Sequence, residues 1–530
     1  MERDLPIAEI PLCSEELDER FAQLQRRLVP LWQLICEVNG AGEQTIVVVP
    51  SLTVEFGGLR GSVLQAYEER FLFLLFLLRQ PRARLVYVTS QPVVPSTVDY
   101  YLSLLPGVIP SHARARLHLI TPHDGAPRPL VHKLLQRPRL IERIRELIPD
   151  PTRAHLVPFN TTRHERDLAL RLGIPMYGAD PCHTHLGTKS GSRALFRRCG
   201  VSCPAGMEGI RSRAQLVDAL VGLMRERPAC DEWMIKHDDG VSGEGNAVLS
   251  VRGLTWRDPD EIDARLASLQ LEAENVSVPA FLEKLFAHGG VVEERISGIE
   301  LTSPSVQLRV TPLGDVEVLS THDQILGGAQ GQKFLGCAFP ADPRYASEIA
   351  RQSRRVGEAL ASIGVIGRFS IDFVCHRDEI GWHSYAIELN LRKGGTTHPY
   401  LTLHFLTDGR YDPEAGIYHT VNGAKFYVAT DALESPSYRV FTPTDLFDIV
   451  VRRGLHYDQI RQTGVVLHMM TAVGDMGRLG FTAVGESAAQ AHALFVRMRE
   501  VLDEEATAAL MDRALPELHE GGDALASGGA

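Results

Sequence analysis

The stretch from Asp231 to Val251 constrains this chain more than any other. Two apolar runs, Trp233–Ile235 and Ala247–Leu249, flank a loop that contains Gly240, Gly243 and Gly245. Glycines let backbone N–H groups turn inward and approach phosphate oxygens closely. Lys236, on the strand just before the loop, supplies a point charge for the same phosphates. The element after the loop narrows the choice. A Walker A loop needs G-x4-G-K-[ST] opening a helix, and a dinucleotide fingerprint also runs into a helix. Here the loop runs into a strand, which disfavours an oxidoreductase. Taken alone, the stretch is either a phosphate-covering hairpin or a flexible hairpin tip.

A second pattern lies downstream. Gly367-Arg368-Phe-Ser-Ile-Asp372-Phe-Val, a turn near Asp378 to Gly381, and Ser384-Tyr-Ala-Ile-Glu388-Leu-Asn390-Leu-Arg392 read as an antiparallel hairpin. Period two puts Glu388 and Asn390 on one face and Ile387, Leu389 and Leu391 on the other. Asp372 sits among apolar neighbours on the partner strand, an expensive place for a carboxylate unless it is paired or bound to metal. Two carboxylates and an amide are hard oxygen donors of the kind Mg²⁺ on nucleotide phosphates requires, with Mn²⁺ as the alternative ion.

A third run, Gly289-Gly-Val-Val-Glu293-Glu294-Arg295-Ile296-Ser-Gly298-Ile-Glu300, is an apolar strand ending in acidic residues, then a turn and another carboxylate. Such an edge can offer backbone groups to adenine and a carboxylate to ribose hydroxyls, although charged strand ends are commonly just solvated.

Around these runs the chain reads as several units, since 530 residues exceed one ordinary domain. Residues 1–177 alternate strands (Thr45-Ile-Val-Val-Val, Arg84-Leu-Val-Tyr-Val-Thr, Arg116-Leu-His-Leu-Ile, Ala154-His-Leu-Val-Pro-Phe) with helices, as in a parallel α/β layer. A Gly-rich turn (Gly57, Gly58, Gly61) leads there into a helical pattern from Ser62 that includes the apolar run Phe71 to Leu78. That run is too short to span a bilayer and is expected to be a buried core helix. Residues 178–400 are α+β in character and divide near 290. Residues 401–515 look like a small C-terminal α/β unit, and 516–530 like a disordered tail. The fold class expected is therefore a multidomain mixture of α/β and α+β.

A net charge of −11 with scattered Lys and Arg argues against a nucleic-acid binder. The acidic N-terminus lacks the apolar run of a signal peptide, so a cytoplasmic location without membrane contact is expected. Cys182, His183 and His185 lie close together, with Cys199 and Cys203 further on, but no paired C-x2-C spacing supports zinc. Reduced, packed cysteines are the expectation. The oligomeric state stays open, a homo-oligomer included.

The order and spacing of the three runs are specific. Over residues 178–400 the sequence resembles the ATP-grasp superfamily. Thr188-Lys189-Ser, before the helix and Gly200-Val-Ser-Cys-Pro-Ala-Gly206, is similar to its first nucleotide lysine and the strand after it. The resemblance implies that Lys189 and Lys236 bind nucleotide phosphates. Gly240, Ser242, Gly243 and Gly245 would then form the mobile phosphate loop. Glu293, Arg295, Ile296 and Glu300 would hold adenine and ribose, and Asp372, Glu388 and Asn390 the metal. Within the superfamily, Ser320-Thr-His322-Asp323-Gln324, Gly336-Cys-Ala-Phe-Pro and Glu388-Leu-Asn-Leu-Arg392-Lys-Gly-Gly-Thr-Thr-His398-Pro resemble the pheganomycin-type peptide ligases and their γ-glutamyl-ligase relatives.

That resemblance implies an ATP-dependent carboxylate–amine ligase. The carboxylate would be activated as an acyl phosphate and coupled to an amine, with release of ADP and phosphate. Its substrates would be amino acids or short peptides. Arg392 is the first candidate for holding a substrate carboxylate or the oxyanion, and Arg368 the second; either could instead form a structural ion pair. His322 and Asp323 could orient a substrate. The rival readings are an ATP-grasp ligase with a non-peptide acceptor, such as a nucleotide precursor or a carboxylation enzyme, and a silent nucleotide-binding regulator.

Overall fold

A computed structural model describes residues 15–36, 42–53, 61–105, 107–240, 243, 245–273 and 275–520, with side chains as far as 511. Ser242, Gly57, Gly58 and residues 521–530 of the expected tail lie outside the described residues. The last helix, Ala488–Glu520, runs into the segment read as tail.

The N-terminal part is a parallel four-stranded sheet in the order Leu117–Ile120, Ala83–Val88, Gln44–Val49, Ala154–Pro158. Helices cover both faces, so the central strand Gln44–Val49 is buried along its whole length. That explains its unbroken Ile-Val-Val-Val run, because a strand with no wet face has no reason to alternate.

The apolar run departs from the sequence expectation. The helix Gly61–Glu69 ends, and Leu72–Arg79 forms a separate 3-10 helix. Its Leu72, Phe73, Leu74, Leu75, Phe76 and Leu78 are all buried. They join a core that also includes Val306, Phe369, Leu403 and Val465 of the later parts. A segment apolar all round is wanted on every side, and here it cements the N-terminal layer to the rest of the molecule.

A second body builds a five-stranded antiparallel sheet in the order Gly206–Met207, Gly290–Glu294, Glu232–His237, Asn246–Ser250, Gln270–Leu271. Helices Arg213–Glu226 and Val278–His288 pack on it around Trp233, Ile235, Leu220 and Leu285, a core separate from the rest. Because Gly290–Glu294 pairs with Glu232–His237, this half of the core extends to Glu294.

The third body is one nine-stranded sheet. Glu300–Thr302, Gly367–Arg377, Pro304–Val310, Val316–Gly327 and Lys333–Phe339 come first, with Trp382–Asn390 also paired to Gly367–Arg377. The strands after residue 400 that join it extend the same sheet: Phe426–Glu434 pairs with Lys333–Phe339, and Arg478–Gly485 and Gly464–His468 come after. His322 and Asp323 are hydrogen-bonded within this body. His322 is fully buried, with Nε2 2.6 Å from the Tyr427 hydroxyl, and Asp323 accepts from the Tyr345 hydroxyl at 2.6 Å and the Asp342 N–H at 2.9 Å.

Candidate functional site

A cavity of about 360 Å³ opens between the five-stranded and nine-stranded sheets. Met234, Ile296, Leu301, Leu326 and Val374 give it an apolar wall, and Arg295 also lines it. Arg295 pairs with Glu232 at 2.9 Å.

Lys236 lines the same cavity. Its ammonium is paired with Glu293, which sits diagonally across from it in the neighbouring strand. The other Glu293 oxygen receives Arg193 at 2.9 Å, and the buried Arg193 also reaches Glu208 at 2.6 Å and the Pro204 carbonyl at 2.8 Å. Glu293 thus holds Lys236 at the cavity wall while Arg193 braces the carboxylate from the side away from it. The sequence offered a signal for Arg193: it stands four residues after Lys189 on the helix Lys189–Arg198 and so shares its face.

Lys189 opens that helix. Its ammonium lies 2.5 Å from Glu388 and 3.1 Å from the Gly240 carbonyl, to which it donates. Asp238 accepts from the Ser190 N–H at 2.8 Å, so the base of the glycine hairpin is tied to the helix start. Gly240 and Gly245 approach so closely that a Cβ on Gly245 would lie 2.9 Å from the Gly240 Cα. Gly243, at φ +82°, packs its Cα face against the Gln332 carbonyl of the opposite sheet.

Asp372 and Glu388 are directly opposed across their strands, and Ser370 opposes Asn390. A bulge at Asp372/Phe373 leaves Ile387 as an extra residue. That corrects the strict alternation expected for this strand. Leu389 is buried, but Ile387 faces the cavity beside Glu388, and Leu391 faces a second cavity. Asn390 donates to Asp372 Oδ2 at 2.9 Å. Burial first, and the facing Glu388 second, push the Asp372 carboxyl up to about 6. Two like charges so placed favour a dication between them. Among the described residues, no three His, Cys, Asp or Glu side chains converge as a metal centre. The fit is therefore to a hard ion held by two carboxylates and an amide.

Arg392 stands beside this group. Its guanidinium has no hydrogen bond or ion pair among the described residues, and it lines both the first cavity and a second of about 1170 Å³. The second cavity lies between the N-terminal layer and the glycine hairpin, and Glu388 and Asn390 also border it.

Two expected site residues are not brought in. Arg368 lines neither cavity; it is buried toward Arg309, Tyr177 and Tyr400, where desolvation pushes its guanidinium down to about 10. Glu300 pairs with Arg377 at 2.7 Å and Arg344 at 3.4 Å on the outer side of its strand, while the adjacent Leu301 faces the cavity. Alternation along a short edge strand explains the exchange.

The sequence matches the family described as IQCH-like, ATP-grasp over residues 181–259 and 264–414. Residues 445–495 match the family described as PGM1 C-terminal domain. It is 31% identical over 430 residues to L-propargylglycine--L-glutamate ligase of Streptantibioticus cattleyicolor, covering 79% of this chain and 86% of that protein. It is 27% identical over 425 residues to IQ motif-containing protein H of Danio rerio, covering 70% of this chain but only 39% of that protein. Among solved structures, the ADP complex of N5-carboxyaminoimidazole ribonucleotide synthetase gives a TM-score of 0.50 at 12% identity, covering 87% of this chain and 97% of that one. Biotin carboxylase from Campylobacter jejuni gives 0.51 at 13%, covering 86% and 90%. At such identities these two structures speak for the fold alone.

Proposed function

We propose a reaction on the premise that this chain belongs to the ATP-grasp family and is an ATP-dependent ligase. The substrates are a carboxylate and an amine, both carried by amino acids or short peptides, and the product is an amide. The observation that supports this most is the convergence of Lys236, Asp372, Glu388 and an unpartnered Arg392 on one cleft, with Lys189 paired to Glu388 behind its wall.

The adenine ring would lie against the apolar side chains of Met234, Ile296, Leu301 and Leu326. Lys236, backed by Arg193 through Glu293, and Lys189 neutralise phosphate charge. Asp372, Glu388 and Asn390 would hold Mg²⁺, which when bound would offset charge on the phosphate oxygens. Arg392 orients the attacking carboxylate by a planar, charge-assisted hydrogen bond. Attack on the γ-phosphorus gives an acyl phosphate and ADP. The amine then attacks the acyl carbon, loses a proton, and expels phosphate.

Two cavities meeting at Glu388, Asn390 and Arg392 support this order, because two substrates can approach one reacting carbon from different sides. The hairpin of Gly240, Gly243 and Gly245 shields the intermediate from water. The test is product analysis after incubation with ATP, Mg²⁺ and amino acids, singly and in pairs. ADP, phosphate and an amide are expected. AMP with pyrophosphate would overturn the acyl-phosphate route.

A further inference from the structure

Besides Arg392 and the Gly394–Thr396 turn, the first cavity is lined by Tyr67, Arg70, Phe159 and Asp431. These residues come from the N-terminal layer and from the C-terminal strand Phe426–Glu434. None belongs to a phosphate or metal motif.

Arg70 and Asp431 are ion-paired at 2.8 Å, with side chains only 5% and 6% exposed. The Arg70 guanidinium lies 4.9 Å from the Tyr67 ring centre and 5.3 Å from that of Phe159. Arg478 fixes Asp431 from behind by donating to its backbone carbonyl at 3.0 and 3.1 Å. The pair is held rigidly but is not saturated. Arg70 engages only Oδ2 of Asp431, and the buried Nε–H of Arg70 has no acceptor among the described residues.

A buried ion pair is a poor way to join two domains, since desolvation consumes most of its attraction. A purely structural contact there would be served as well by apolar side chains. This pair instead forms the wall of a cavity that also contains the reacting groups. Arg392, Glu388 and Asp372 line the same cavity as Arg70 and Asp431. The cavity wall therefore carries two guanidiniums, Arg392 and Arg70, together with the carboxylates of Asp372, Glu388 and Asp431. Two guanidiniums near each other favour an anion between them, and a carboxylate beyond them favours a cation. One small molecule that carries both charges close together is an α-amino acid.

We propose that Arg70 and Asp431 anchor the head group of an amino-acid substrate, its α-carboxylate meeting Arg70 and its α-ammonium meeting Asp431. This rests on the ligase reading of the cleft and assigns the residues that select a free amino acid over a simple acid or amine. Tyr67 and Phe159 position the guanidinium, and Arg478 positions the carboxylate.

The experiment uses the full chain with ATP and Mg²⁺. Wild type is first screened with free amino acids for ADP release, and an active one is chosen. If none releases ADP, alone or in pairs, the anchor falls; if short peptides release none either, the ligase reading falls with it. With an active amino acid in hand, Asp431→Asn and Arg70→Lys are expected to raise its KM about tenfold or more. The KM for ATP should stay within about twofold, because the nucleotide lies at the other end of the cavity. The double variant Arg70→Gln/Asp431→Asn removes both charges together, so no lone charge is left buried if the single variants fail to fold. A second measurement needs no variant: the free amino acid should raise the melting temperature of wild type, while its N-acetyl and methyl-ester forms should not. Equal melting shifts from all three forms, or an unchanged amino-acid KM in a folded variant, would overturn the anchor and leave the ligase reading intact.

Discussion

Lys189 Nζ lies 2.5 Å from Glu388 Oε1, so the first helix of the core and the last strand of its hairpin are joined across the cleft by one ion pair. The same lysine donates to the Gly240 carbonyl. The lysine proposed for phosphate thus contacts both the carboxylate proposed for metal and the glycine hairpin. Glu388→Gln keeps the shape and removes the charge. Turnover at saturating ATP and Mg²⁺ is expected to fall about 10²-fold or more. Far-ultraviolet dichroism should be unchanged, since the side chain is half-buried at a cavity wall. An undiminished rate of ADP release would remove Glu388 from the site.

Lys236 and Glu300 offer a contrast. Lys236→Ala strips the cavity of a cation whose partner Glu293 is buried, and KM for ATP should rise about tenfold or more. Glu300→Gln touches only an outward ion pair with Arg377 and Arg344, so KM for ATP should change less than about twofold. A large effect at Glu300 would show that the strand turns over during the reaction cycle.

The glycine hairpin is checked by Gly243→Ala and Gly245→Ala. At Gly243 the backbone has φ +82° and a Cβ would meet the Gln332 carbonyl at 2.8 Å; at Gly245 it would meet Gly240 at 2.9 Å. An L-residue at the φ of Gly243 costs about 1–2 kcal/mol. The hairpin should close less well, with kcat lowered and ADP released without amide product, while the melting temperature barely moves. Amide yield per ADP, measured by mass spectrometry, is the readout.

What the sequence made legible and what it hid divide along physical lines. Lys236 and its glycines, or Asp372 and Glu388, sit in short runs where strand and turn chemistry can be read directly. Ile387 misled because period two presumes an unbroken strand, and here a bulge intervenes; Glu300 was placed at the site by resemblance, and a short edge strand turns it outward. Arg70 and Asp431 were invisible for another reason: 361 residues separate them, and only the packing of two bodies brings them together. The continuous sheet was hidden likewise, since a strand does not announce its neighbour.

Arg392 has a narrower role. Arg392→Lys keeps the charge but loses the planar fork, and coupling should suffer more than nucleotide binding. Amide formation is expected to drop about tenfold or more, with KM for ATP nearly unchanged. If coupling survives in Arg392→Lys, the carboxylate is held elsewhere.

His322 gives a prediction in pH. Burial alone pushes its imidazole down to about 3. The folded chain therefore refuses a proton that the unfolded chain accepts below about 6.5. Its stabilising effect is complete above that value and is lost as pH falls toward 3. Between pH 7.5 and 5.5 this one residue should cost about 1.4 kcal/mol of stability. Urea unfolding of His322→Gln at both pH values should show a loss smaller by that amount than wild type. Equal losses would mean that the ring is protonated in place.

The seam between Lys333–Phe339 and Phe426–Glu434 has a consequence for how this chain can be cut. A fragment ending at Thr407 would hold every lysine and carboxylate assigned to the nucleotide, and by motif it would count as a whole enzyme. It would also bare the backbone amides and carbonyls of Gly336–Phe339, a raw edge ready to recruit any passing strand. Such a fragment should aggregate before it can be assayed. The C-terminal hundred or so residues are in that sense a selvedge, the woven border that keeps the fabric of the core from unravelling.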